Sequence, residues 1–158
     1  MGSEGDPWMM DGTYEATDLG KGWVALRLDG YARVGGARAN VSHACVVVDM
    51  NRGELLWPAQ ELGQEQIALL TDWTGRMLRR EARQADLTKP EENMFLDNGA
   101  PITKETPLCF TGIGLRVSFE PGAVTRYLPT VGPGVVIPRR LLPRLFPKGS
   151  RLADVAGS

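Results

Sequence analysis

Pro107-Leu-Cys-Phe-Thr-Gly-Ile-Gly-Leu-Arg-Val-Ser-Phe-Glu-Pro121 carries the alternation that decides the fold. Leu115, Val117 and Phe119 alternate with Arg116, Ser118 and Glu120, which predicts a strand with one buried and one wet face. A loop rich in Pro, Gly and Tyr follows, and then a short apolar strand, Val135 to Ile137. Gly112-Ile-Gly114 lacks the third glycine of a nucleotide fingerprint and precedes a strand where a helix is required, so it reads as turn chemistry. The stretch builds a scaffold that presents a loop.

Working outward, Trp23 to Asp29 alternates at Leu26, Arg27, Leu28 and Asp29 and predicts a strand that continues to Tyr31 and Val34. Gly35-Gly36 marks a turn. Val41 to Met50 is a second strand, apolar on both faces over Ala44 to Val48 and therefore central in its sheet. A turn at Asn51 to Gly53 leads into a short strand, Glu54 to Trp57. From Glu65 to Gln84, Ile67, Leu70, Trp73 or Thr74, Met77 and Leu78 recur at three and four, an apolar stripe along a helix. Pro90, Pro101, the following Pro107 and Asn98-Gly99 break residues 86–106 into loop with a short strand at Met94 to Leu96. Arg139 to Phe146 holds a helical turn or two interrupted by Pro143. The fold class expected is α+β, an antiparallel β-sheet with one long helix packed on one face. Residues 1–20 are expected to be a flexible lead-in, 21–148 a single domain and 149–158 a frayed tail.

Length and composition bound the function. At 158 residues and 42% hydrophobic, one domain buries a core without metal or disulfide staples. Eighteen basic and nineteen acidic side chains leave a net charge of −1, too little to gather nucleic acid or anionic lipid. Arg76, Arg79, Arg80 and Arg83 interleave with Asp72, Glu81 and Asp86 and read as a solvated helix face. Apolar runs such as Ala44 to Val48 fall far short of the roughly 20 residues that span a bilayer. The N-terminus lacks the basic start and apolar centre of a secretory signal, which leaves a cytoplasmic protein or one whose signal was removed.

Reactive groups are few. Cys45 and Cys109 read first as buried thiols packing as small hydrophobes, with one bridge between strands geometrically open. Together with a single histidine, His43, they cannot build the usual Cys/His zinc site, and CxxC and HxxxH spacings are absent, so neither metal nor cofactor is expected. Ser42 neighbours His43 in a strand and points to the opposite face, so no triad forms there. A facing acid pair needs a separation that sequence does not show. No catalytic residue is assigned, and no enzymatic activity is expected.

Three segments then fall in a recognisable order: Gly35-Gly-Ala-Arg38, Val48-Asp-Met-Asn-Arg-Gly-Glu-Leu55, and Phe110-Thr111 through Gly114-Leu115, Phe119, Pro121, Tyr127, Gly132 and Val136-Ile-Pro138. Over residues 23–147 the chain resembles the extracytoplasmic domain of unknown function shared by lysozyme-responsive anti-sigma factors and the non-catalytic region of peptidoglycan deacetylases. Arg38 stands where the family usually has histidine, Gly122-Ala123 replaces an aromatic-acidic pair, and Arg126 stands where proline is common. The loop that contacts lysozyme in the anti-sigma members is thus altered here.

The resemblance implies a non-enzymatic, periplasmic or extracellular module whose partner is a cell-wall-degrading enzyme or peptidoglycan. The binding loop expected is Pro121, Arg126, Tyr127, Pro129, Gly132 and Pro133: prolines limit the entropy lost on docking and a tyrosine is an amphipathic anchor. The alternative for Tyr127 is packing on its own sheet. Three functions follow. The chain is a sensor or immunity-type inhibitor of a wall hydrolase, a glycan-binding accessory domain using Trp8, Trp23, Trp57 or Trp73, or a hydrolase with paired acids.

Overall fold

The 108–118 alternation folds as a two-strand hairpin in the computed structural model, which describes residues 9–33, 40–84, 102–119 and 134–157. Strand β5 (Leu108–Thr111) pairs with β6 (Gly114–Ser118) around Gly112-Ile113, and β7 (Gly134–Pro138) closes an antiparallel sheet in the order β5-β6-β7. Leu115 and Val117 are fully buried and Phe119 nearly so, as the alternation predicts. Ser118 departs from it: expected on the wet face, it is buried. The reason is that this three-stranded sheet is covered on both sides. Leu108, Phe110, Leu115 and Ile137 join the core with Phe146, whose ring lies 5.5 Å from that of Phe110. The opposite face, bearing Cys109, approaches a second sheet.

That second sheet is four-stranded and antiparallel, β1 (Met9–Gly20), β2 (Trp23–Arg33), β3 (Asn40–Asp49) and β4 (Glu54–Leu56), paired in chain order. The fold is α+β, with two sheets where one was expected. β3 is internal, as its apolar middle requires, with Cys45, Val46 and Val47 buried. The β3–β4 turn is built by the buried Asp49, whose carboxylate accepts the backbone N–H groups of Asn51 (3.0 Å) and Arg52 (3.2 Å).

Two terminal assignments are corrected. Residues 9–20, part of the expected lead-in, form β1, held by a ladder from Met9↔Arg33 to Gly20↔Trp23 with one irregularity between Asp18 and Gly20. Its side chains are exposed on both faces as far as Ala16, and the weak alternation of Met10, Tyr14 and Ala16 with Asp11, Thr13 and Glu15 is interrupted at Gly12; the ladder and the buried Leu19 make it a strand. The 149–158 tail is not frayed over the described residues. Ala153–Ala156 is a short helix (α3), Leu152, Val155 and Ala156 are buried, and Arg151 pairs with Glu54 and, at 3.6 Å, with Glu61.

The long helix α1 (Gln64–Gln84) matches its apolar stripe. Leu70, Trp73 and Leu78 are buried, Ile67 and Met77 pack at the margin, and Arg76 pairs with Asp72 on the solvated side. It packs against β7 and the helical turn α2 (Leu142–Leu145), so it covers the smaller sheet. Pro143 starts that turn, where its missing N–H costs nothing. On the other side β5 lies across β1, β2 and β3. The crossing brings the Cα atoms of Cys45 and Cys109 to 5.1 Å, and the two form a disulfide. The favoured reading of two free thiols is therefore corrected.

Candidate functional site

The crossing of the two sheets leaves a cleft of about 260 Å³ between the upper part of β3, the turn after β4 and the segment that leads into β5. Trp57 forms one wall. It precedes Pro58, which keeps it extended (φ −97°, ψ 110°). The residue remains 45% exposed, an uncommon position for so large an apolar side chain. Pro58 and Ala59 open a 3₁₀ turn, Pro58–Glu61, that forms the floor.

Lys104 holds the opposite wall in place. Its ammonium donates to the Gln60 carbonyl at 3.0 Å and to the Leu62 carbonyl, tying the 103–106 turn to the 3₁₀ turn. That turn is closed by Thr106 N–H to the Thr103 carbonyl (3.2 Å) and by Thr103 N–H to Thr106 Oγ1 (2.8 Å). Glu105 and Gln60 stand exposed at the rim.

The third wall is His43, with a side chain 10% exposed. The β2–β3 register sets it opposite Asp29, and its Nδ1 lies 2.6 Å from Asp29 Oδ1. Arg27 grips the same carboxylate with Nε at 3.0 Å and Nη2 at 2.9 Å, a two-pronged pair. Burial pushes the Asp29 carboxyl upward, but the hydrogen bonds from His43 and Arg27 and their charges outweigh it and hold the group below its ordinary value. In the neutral ring this partner keeps the proton on Nδ1 and leaves Nε2 as an acceptor.

Chemically, Asp29 and His43 form the orienting half of a triad, and neither neighbouring nucleophile completes it. Ser42 projects from the other face of β3, and Cys45 is committed to the disulfide. Among the described residues no group of three His, Cys, Asp or Glu side chains is placed to hold a metal ion. What the cleft offers is an aromatic wall, prolines, and polar groups fixed by their neighbours, the make-up of a small binding site.

No protein-family model matches the sequence, and no curated protein matches it. A solved structure does. A DUF3298 family protein from Pseudomonas aeruginosa superposes with a TM-score of 0.58 at 17% identity, covering 88% of this chain. At that identity the likeness shows the fold alone. The chain spans 62% of the length of that protein.

Of the residues singled out from sequence, the expected binding loop, Pro121, Arg126, Tyr127, Pro129, Gly132 and Pro133, lies outside the described residues, as do Trp8, Arg38 and the Met94 to Leu96 strand. Trp73 is core, and Trp23 packs partly buried against the core. Only Trp57 of the described tryptophans lines the cleft. The Asp29–His43 pair was not found from sequence, although a signal existed: each residue lies seven positions from Gly36, so a hairpin centred on that glycine sets them opposite.

Proposed function

We propose that the chain is a non-enzymatic binding module that works outside the cytoplasm, periplasmic or extracellular, and recognises or neutralises a cell-wall-degrading enzyme. The observation that carries this reading is the buried Cys45–Cys109 bridge between the two sheets. A structural disulfide persists in an oxidising compartment, and it stiffens a scaffold for presenting loops. The resemblance carried by residues 23–147 points the same way. The test is calorimetric titration against a panel of lysozymes and amidase-type wall hydrolases. A saturable complex with at least one is expected, and uniform absence of binding by folded protein would remove the reading.

A second reading is favoured by Trp57: a glycan-binding accessory domain in which the exposed indole stacks against a sugar ring while Gln60 and Glu105 address its hydroxyls. Chitin oligosaccharides and soluble peptidoglycan fragments should then quench or shift tryptophan emission in the native protein and not in Trp57→Ala.

A further inference from the structure

The four-stranded sheet ends in β1, and β1 is an unusual edge. Natural sheets protect an edge by shortening it, by placing Lys or Pro on it, or by covering it. β1 runs for twelve residues, carries neither Lys nor Pro, and has no ladder partner on its outer side among the described residues. Its one irregularity, between Asp18 and Gly20, sits at the far end, so Met9 to Asp18 is a regular strand.

The two faces of this edge differ. On one, Met10 and Tyr14 are 87% and 82% exposed. Gly12 lies between them and opposite Gly30, and this pair without side chains opens a shallow hollow of about 420 Å³ walled by Tyr14 and Leu28. On the other face stand Asp11 and Glu15. Glu15 has Arg27 opposite it across the ladder, yet Arg27 is engaged by Asp29, and no ion pair among the described residues includes Asp11 or Glu15. A second copy of the chain is a poor occupant, because pairing two β1 edges sets one carboxylate row against another.

We propose that the outer edge of β1 is a docking strand for an extended, basic segment of a protein partner. The incoming strand completes the backbone ladder. Alternate apolar side chains lie along Met10, the glycine hollow and Tyr14, while the intervening Lys or Arg residues face Asp11 and Glu15. The proposal rests on the protein-binding reading above and names the surface and the chemistry that reading leaves open.

The test uses the full chain and a dye-labelled, end-capped octapeptide, Lys-Val-Lys-Val-Thr-Val-Lys-Val, with two controls: the same peptide with Glu for Lys, and the Lys peptide N-methylated at every residue so that neither of its edges can extend a ladder. Saturable binding of the Lys peptide is expected, with slowed amide exchange confined to β1. Binding should weaken by about tenfold or more in the D11K/E15K variant, which should instead take up the Glu peptide. Equal binding of the N-methylated peptide, or no binding of the Lys peptide, would overturn the proposal. Titrating the wall hydrolases against D11K/E15K separates the two ideas: undiminished binding there sinks the docking strand and leaves the module standing, while absence of hydrolase binding to native protein with peptide binding intact does the reverse.

Discussion

Asp29 is the residue on which the local electrostatics turn. It gathers His43 and Arg27 onto one carboxylate, and the three side chains fix the β2–β3 face that borders the cleft. Because its carboxyl is held below the ordinary value of 3.8, the folded chain binds fewer protons here than the unfolded chain does. Its contribution to stability is therefore present above that value and lost as pH falls through the folded one. Asp29→Asn should flatten the acid limb of the stability curve below pH 3.8 and cost about 1–3 kcal/mol at neutral pH, because an amide carries no charge for Arg27 and His43 and offers one acceptor oxygen in place of two. Urea melts of both proteins across that range measure the two effects together. An unchanged acid limb would mean that another carboxylate governs it. Charge spacing in the sequence pointed to none of this, since Arg27 and Asp29 read simply as the wet side of an alternating strand. Only the register, which one residue of slip would invert, turns them into partners of His43.

At the level of elements, strong apolar periodicity was legible and weak periodicity was not. The stripe of α1 and the alternation of β6 each place their own hydrophobics, and both elements fall where the pattern puts them. β1 escaped because its weak alternation of Met10, Tyr14 and Ala16 with Asp11, Thr13 and Glu15 is broken at Gly12, and α3 because four residues are too few to show a period. The Gly112-Ile113-Gly114 turn gives a sharp test of how the three-stranded sheet is specified. A methyl group at Gly114 would meet the Ile137 carbonyl across the β6–β7 ladder, whereas one at Gly112 would meet nothing within 4 Å. Gly114→Ala should cost roughly 1–3 kcal/mol through displacement of β7, while Gly112→Ala should stay within about 0.5 kcal/mol of the native protein. Chemical denaturation ranks them. If both variants proved neutral, the β6–β7 contact would be looser than the ladder implies.

For the molecule as a whole, the disulfide joins what the sequence kept apart. Cys45 and Cys109 are 64 residues distant, and each sits in an apolar strand context that serves equally well for a free thiol, so local pattern does not distinguish the two states. The crossing of β5 over the larger sheet does, and that crossing is a property of the whole fold. Closing a loop of that length removes about 4 kcal/mol of unfolded-chain entropy. For a chain of this size that corresponds to a melting temperature about 8–16 °C lower when the bond is absent. Both sulfurs are buried, so a reductant reaches them only when the sheets separate. Reduction of the native protein should therefore be slow and should accelerate with urea in step with unfolding, as followed by thiol labelling and mass shift. Once reduced, the chain should melt lower by the stated interval, and a Cys45→Ala/Cys109→Ala variant should fall at least as far because it also loses packing. Rapid reduction without added denaturant would mean that the sheets part readily, and the bridge would then be a labile contact and not a staple of the scaffold.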